Sequence, residues 1–255
     1  MTDKPLCTVV VPVLNQGAFL ERTLASIVAQ DVPIELFVMD GGSTDGTLDV
    51  IERWRPHLTA WRSGPDGGQS AAINAGMRLG SAPYVAWLNA DDTYCRGALR
   101  SLGDLLERSP DCPVAYGRAS LHTSEGRALG EYRTRRFSRR SLASRCFIAQ
   151  PATLIRRTAW KAVDGVREDL HMAMDYDLWW RLSEGFGEFA FLDQLVADAT
   201  WHLEAKTFRH PMAHYREAMS LVRAHYGRLP ITWYMKMPFS VLSRKALQTF
   251  RKSAR

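Results

Sequence analysis

The chain has 255 residues, 46% hydrophobic and 24% charged, which supplies one α/β domain with a buried core and excludes wholesale disorder. Four scattered cysteines, Cys7, Cys95, Cys112 and Cys146, form no CxxC pair, which argues against a zinc ribbon or disulfide framework and fits a reducing cytoplasm. The net charge is +6, yet Ala218–Arg255 carries eight cations and no acid, leaving 25 basic and 27 acidic residues elsewhere; the basicity belongs to the C-terminus, not the body.

In chain order, Thr8–Val13 is a β-branched run suited to a strand buried on both faces. Ala18–Gln30 carries Leu20, Leu24, Ile27 and Val28 at helical spacing. Ile34–Met39 reads as a strand, Thr47–Trp54 as a helix and Leu58–Trp61 as a short strand. Gly68–Leu79 is helical, Tyr84–Leu88 a strand, Ala98–Glu107 a helix and Val114–Tyr116 a fifth strand. This alternation predicts right-handed crossovers and a mainly parallel sheet flanked by helices, with ligands bound at the carboxyl ends of its strands.

After Gly117 the alternation stops. Arg118–Arg145 is rich in Arg and Ser and predicts an irregular or hairpin segment. Ala152–Ile155, Glu188–Leu192 and Leu195–Trp201 read as strands; Asp175–Phe186, Pro211–His225 and Tyr234–Phe250 read as helices. The apolar stretch Cys7–Leu14 is too short for a leader, and no segment reaches the ~18 apolar residues of a membrane span. The chain is thus expected to be soluble or peripheral.

Four expected strand-end loops hold the polar residues: Pro12–Asn15, Asp40–Asp45, Gly64–Gln69 and Asn89–Asp92. Their convergence on one sheet edge is the main functional signal. Asp40-Gly41-Gly42-Ser43-Thr44-Asp45 suits either a helix-capping turn or close approach of a ligand, with Asp40 facing a base or ribose. Asn89-Ala90-Asp91-Asp92 suits either an N-cap or a hard-cation site for Mg²⁺ or Mn²⁺. Asp175 and Asp177 suit either dipole complementation or, for Asp175, general-base chemistry. Arg133, Arg135, Arg136, Arg139 and Arg140 form either a solvated face or an anion-binding one. The tail mixes Trp233, Tyr234, Met235, Met237 and Phe239 with cations, the composition of an interfacial helix.

Thr8-Val9-Val10-Val11-Pro12-Val13-Leu14-Asn15, Asp40–Thr47, Gly64–Ser70 with Ile73–Gly76, Leu88–Asp92, Gln150-Pro151-Ala152-Thr153 and Met174–Trp179 together resemble the family 2 glycosyltransferases of GT-A fold, over roughly residues 7–206. The resemblance implies an inverting transfer from a nucleoside-diphosphate sugar, with a UDP-sugar the prior choice. It implies that Pro12, Asn15, Asp40 and Asp66 surround the nucleoside, with Gly41, Gln69 and Asn89 also on the donor side. Asp91 would bind Mn²⁺ or Mg²⁺, Asp92 would lie near the donor sugar, and Asp175 would be the base. His202 and Lys206 resemble a late His…Lys feature that meets metal or diphosphate. Two departures stand out: Asn89 replaces the first acid of Asp-x-Asp, and Met174 replaces the acid before the base.

The expected organisation is a transferase domain over residues 1–217, with a donor half (1–117) and an acceptor half (118–217), and a basic amphipathic helical tail over 218–255. The expected acceptor is a glycan or lipid-linked hydroxyl of cell-envelope or exopolysaccharide synthesis. The expected location is cytoplasmic, peripheral on an anionic membrane face through the tail. A non-catalytic sugar-nucleotide or glycan-binding module of the same fold is the competing expectation, kept open by Asn89. Nucleic acid is not an expected partner, because the body is net acidic and no recognition helix stands out.

Overall fold

The computed structural model describes residues 4–201 and 210–235. The first half alternates as the periodicity predicts. Strands β1 (Cys7–Val13), β2 (Ile34–Asp40), β3 (Ala60–Ser63) and β4 (Tyr84–Trp87) are separated by helices α1 (Gly17–Val28), α2 (Thr47–Trp54) and α3 (Gln69–Leu79). Every residue of β1 is buried, because the strand pairs in parallel with β2 on one side and β4 on the other. Its side chains alternate between two cores: Val10 faces one with Phe37, Met39, Val85 and Trp87, while Val9, Val11 and Val13 face the other with Leu36, Val38, Ala86 and Leu88. Gly76 lets α3 lie close on this sheet, since a Cβ there would sit 2.6 Å from Val10 Cγ1.

The second half is mixed. It comprises β5 (Thr93–Tyr94), α4 (Ala98–Glu107), β6 (Val114–Thr123), β7 (Ala128–Glu131), α5 (Arg139–Ser144), β8 (Thr153–Arg156), α6 (Arg157–Ala162), α7 (Met174–Phe186), β9 (Ala190–Trp201) and α8 (Pro211–Tyr226). The sheet runs β3-β2-β1-β4-β8-β6-β9-β5, with β7 paired to β6. Parallel pairing holds from β3 to β4 and again between β6 and β9, whereas β8, β5 and β7 pair antiparallel. The mainly parallel sheet expected from the sequence is thus a feature of the first half.

Several boundaries moved for identifiable reasons. The fifth strand continues to Thr123 because its outer half forms a hairpin with β7, a hairpin being the second of the two forms expected for Arg118–Arg145. The two late strands are one, β9, whose register with β6 shifts twice around Arg118 and so absorbs the apparent break. β5 and α6 are too short to give a periodic signal. The expected boundary after residue 217 falls inside α8, whose Ala218, Leu221 and Val222 are buried in the first core. Trp233 joins them and donates its indole N–H to the Ala143 carbonyl at 2.7 Å. The remainder of the expected Tyr234–Phe250 helix lies outside the described residues. No helix among the described residues is long and apolar enough to cross a membrane.

Candidate active site

Because β1 to β4 are parallel, their following loops share one edge, and the start of antiparallel β8 reaches the same edge. The Gln150 amide, just before β8, donates to the Trp87 carbonyl at the end of β4 at 2.7 Å.

The loops after β1 and β2 are locked together. Asn15 adopts φ 53°; its N–H donates to Ser43 Oγ at 2.7 Å and its Oδ1 accepts from Thr44 N–H at 2.8 Å. Asp45 accepts from Thr47 N–H and Gly17 N–H, so one carboxylate fastens the starts of both α2 and α1; these bonds hold its carboxyl below the usual range despite desolvation. Asp40 is 1% exposed. Its two oxygens accept from Gly42 N–H, Ser43 N–H and Oγ, and Ser63 Oγ. Pro12 is likewise buried in β1. These two residues therefore shape the expected nucleoside edge from beneath, and neither presents a free group to it. The surface above is made by exposed Asn15 and Leu14, by Gly41 and by Asp66: a Cβ on Gly41 would stand 3.4 Å from Asp66 Oδ2 and 3.6 Å from Leu14 Cδ1. Asp66 in turn accepts from Gly68 N–H at 2.8 Å, where Gly68 takes φ 101° to open α3.

A chain of amides crosses to the acids at the end of β4. Gln69 donates to Asn89 Oδ1 at 2.8 Å, and the Asn89 amide donates to Asp92 Oδ2 at 3.2 Å and to Gln150 Oε1 at 3.4 Å. An aspartate at position 89 could make neither donation. The Asn89 substitution thus exchanges a carboxylate for a donor that favours ionised Asp92. Asp92 is buried; burial and the adjacent Asp91 push its carboxyl well above the usual range, against hydrogen bonds from Thr200 N–H and Asn89. Thr200 also donates its hydroxyl to the Asp91 carbonyl. Thr23 donates to the Ala90 and Asp92 carbonyls, both at 2.8 Å. Thr200 and Thr23 are the residues here that motif reading passed over, because single hydroxyls far apart in sequence carry no pattern; Gln150 was in a quoted motif, but without a role.

Two adjacent carboxylates, one of them buried beside its like-charged neighbour, are the ligand type that suits a hard divalent cation, and the Arg22 guanidinium already stands near them, bonding the Asp91 carbonyl at 3.5 Å and favouring ionised Asp92. No cluster of three His, Cys, Asp or Glu occurs among the described residues. His202 and Lys206 lie outside the described residues.

Asp175 occupies the second position of α7, half-buried, with Oδ1 accepting from Tyr176 N–H at 2.8 Å. Burial raises its carboxyl to about 6, and Glu217 adds to the rise. Met174 is not idle: its sulfur accepts from Ser70 Oγ at 2.8 Å. Consecutive residues of α3 therefore touch a neutral neighbour of each acidic group, Gln69 bonding Asn89 at the β4 end and Ser70 bonding Met174 at the α7 end. A small cleft opens here, lined by Gly67, Gln69, Ser70, Glu168, His171 and Met174 among others. Asp177 is separate from the site. It is fully buried and paired with Arg181 at 2.6 Å, Arg167 at 3.6 Å and His225 at 3.5 Å. Of the arginine cluster, Arg139 pairs with Glu184 at 3.2 Å and lies over the Trp180 ring, while Arg133, Arg135, Arg136 and Arg140 are exposed.

A curled α/β sheet with its polar loops gathered at one edge, acids after β4 and a poised carboxyl opening α7 is the GT-A class of fold. The family model described as Glycosyl transferase family 2 matches residues 8–163, and the chain belongs to that family. It is similar to a hyaluronan synthase of Pasteurella multocida, 26% identical over 254 residues, covering 98% of this chain and 26% of that protein. The chain thus spans about a quarter of that relative's length. Its fold is similar to that of S. aureus TarS 1-349 in complex with UDP-GlcNAc, at TM-score 0.68 and 20% identity over 86% of this chain and 66% of that one. It is also similar to the mannosyltransferase PcManGT from Pyrobaculum calidifontis in complex with GDP-Man and Mn²⁺, at TM-score 0.67 and 17% identity over 100% of this chain and 77% of that one.

Proposed function

We propose that this chain is an inverting glycosyltransferase that moves a sugar from a nucleoside-diphosphate sugar, a UDP-sugar foremost, to a hydroxyl of a glycan or lipid-linked acceptor. The observation that carries the reading is that the first turn of α3 bonds both Asn89, beside the acids after β4, and Met174, beside Asp175, whose carboxyl is raised to about 6. Asn15, Gly41 and Asp66 border the nucleoside, with Pro12 and Asp40 fixing the loop below them. Gln69, Asn89 and Asp92 orient the donor side, and Lys206 meets the diphosphate. Asp91 would hold Mn²⁺ or Mg²⁺, with His202 as a further ligand, and that ion would supply counter-charge to the departing diphosphate. Asp175, ionised above about pH 6, accepts the proton of the attacking hydroxyl as that oxygen forms the new bond to the anomeric carbon. The nucleoside diphosphate leaves from the opposite face, which inverts the centre. A carboxyl poised near the working pH is a better base than an ordinary surface aspartate, because a stronger conjugate base takes the proton more readily.

The relative named as a hyaluronan synthase supports a role in polysaccharide synthesis, in the cell envelope or an exopolymer. The basic C-terminus supports action at the cytoplasmic face of an anionic membrane. Thermal denaturation with UDP and GDP, with and without Mn²⁺, tests the donor site. The expected result is a midpoint raised by one nucleotide, dependent on Mn²⁺ and lost in Asp91→Asn. A folded protein stabilised by neither would favour the non-catalytic binding module that Asn89 keeps open.

A further inference from the structure

Glu217 lies on α8, outside every motif of the sequence and beyond the family match. Its carboxylate gathers three successive backbone N–H groups ahead of α7. Oε1 accepts from Ala173 at 2.7 Å and Met172 at 2.9 Å, and Oε2 from His171 at 3.3 Å. Two residues further on is Asp175. The helix bearing Glu217 is itself anchored: Ala218, Leu221 and Val222 are buried, His225 stacks on Trp180 with centroids 5.9 Å apart, and His225 bonds Glu184 at 3.0 Å.

We propose that Glu217 is the positioning residue for Asp175, setting both the turn that leads into this carboxylate and the charge it faces. The proposal rests on the reading of Asp175 as the base. Its physical logic has two parts. A carboxylate holding three consecutive N–H groups fixes the entry to α7 through charge-assisted bonds, which are stronger than neutral ones. An aspartate in the first turn of a helix is ordinarily favoured as its anion by the helix dipole. The negative charge of Glu217 opposes that, in the same direction as burial, and so keeps Asp175 a stronger base. The other ionisable groups facing Asp175 are Cys146 and Tyr132, both neutral because burial raises them, with Tyr176 in the same turn and Arg145 beside Cys146 and Tyr132. The His171 side chain lines the adjoining cleft.

Glutamine at 217 keeps an oxygen for the Met172 and Ala173 bonds, gives up the longer one from His171 and removes the charge, so the electrostatics change with most of the geometry kept. The first measurement is a ¹³C NMR titration of aspartate carboxyls in the full chain, with Asp175 assigned by its absence in Asp175→Asn and repeated in a His171→Gln background. In Glu217→Gln the Asp175 transition is expected to move to lower pH; an unmoved transition overturns the proposal. The second is Mn²⁺-dependent release of UDP from UDP-N-acetylglucosamine across pH. Glu217→Gln is expected to shift the acid limb to lower pH, and Glu217→Ala to lose ~10- to 100-fold in kcat at unchanged KM. A Glu217→Ala protein of unaltered kcat and limb overturns the proposal. No release by wild type from any nucleotide sugar, with the carboxyl shift present, would instead remove the reading of Asp175 as a base and leave its electrostatic control by Glu217 standing.

Discussion

The acids after β2 and β3 and those after β4 and at the start of α7 are built in opposite ways. After β2 and β3, carboxylates are held mostly by neighbours in sequence: Asp40 by Gly42 and Ser43, Asp45 by Thr47, Asp66 by Gly68. In the later group, bonds come from far away. Thr200 donates to Asp92 across 108 residues, and Glu217 reaches the residues before Asp175 across 44 to 46. The first arrangement is a local turn that forms wherever its glycines and hydroxyls occur together. The second exists only once β9 and α8 have packed. The lesson is that the edge expected to receive the nucleotide is shaped chiefly by local turns, whereas the expected reactive carboxyl depends on the whole domain.

This contrast can be broken by experiment. The largest effect is expected from Asp175→Asn, which should lower kcat by ~10²- to 10⁴-fold while leaving nucleotide-induced stabilisation intact. Loss of both together would mean that the halves are not functionally separate. Next, Trp179→Ala should cost about 3–5 kcal/mol, read by denaturant unfolding. Its ring is fully buried and stacks on Trp87 at 6.3 Å, joining α7 to β4. Asp91→Asn should abolish the Mn²⁺-dependent part of nucleotide stabilisation, about 2.7 kcal/mol at a hundredfold excess over Kd. Thr200→Val removes the hydroxyl bond to the Asp91 carbonyl and should cost ~1 kcal/mol, with weaker Mn²⁺ dependence.

The subtlest test is the pH dependence of stability. The Asp175 carboxyl is raised in the folded state to about 6, so its protonated form is the one that folding favours. Its stabilising contribution is complete below ~pH 4, the unfolded value, and is lost as pH rises through about 6. Activity should rise over the same interval. Asp175→Asn should therefore match wild type near pH 4 and exceed it in thermal midpoint at pH 8. An equal difference at both pH values would show that Asp175 is not held against ionisation.

Much of the first half was legible in the residues. Thr8–Val13, Ile34–Met39 and Tyr84–Leu88 are apolar runs bounded by turn residues, and α1 and α3 carry clear helical spacing, so their order and the shared edge followed. The second half was less so. A hairpin was one of two forms expected for Arg118–Arg145, and the residues did not choose between them because the outer part of β6 and all of β7 are partly or fully exposed and lack an apolar run. Asp177 sits in the same motif as Asp175, and only packing reveals that it is a buried ion-pair centre. Asn89 looked like a weakened acid, whereas its amide proves to bridge Gln69, Asp92 and Gln150.

By itself the sequence determined the alternating first half, the gathering of polar loops at its strand ends and the identity of the acids there, since periodicity and turn chemistry are local properties. Only the tertiary structure decided which acids are already committed to the fold, as Asp40 and Asp177 are. It also decided that Asp175 stands near pH 6. A carboxyl's ionisation depends on burial and on charges brought close in space, and neither Glu217 nor the packing around α7 is adjacent to it in the chain.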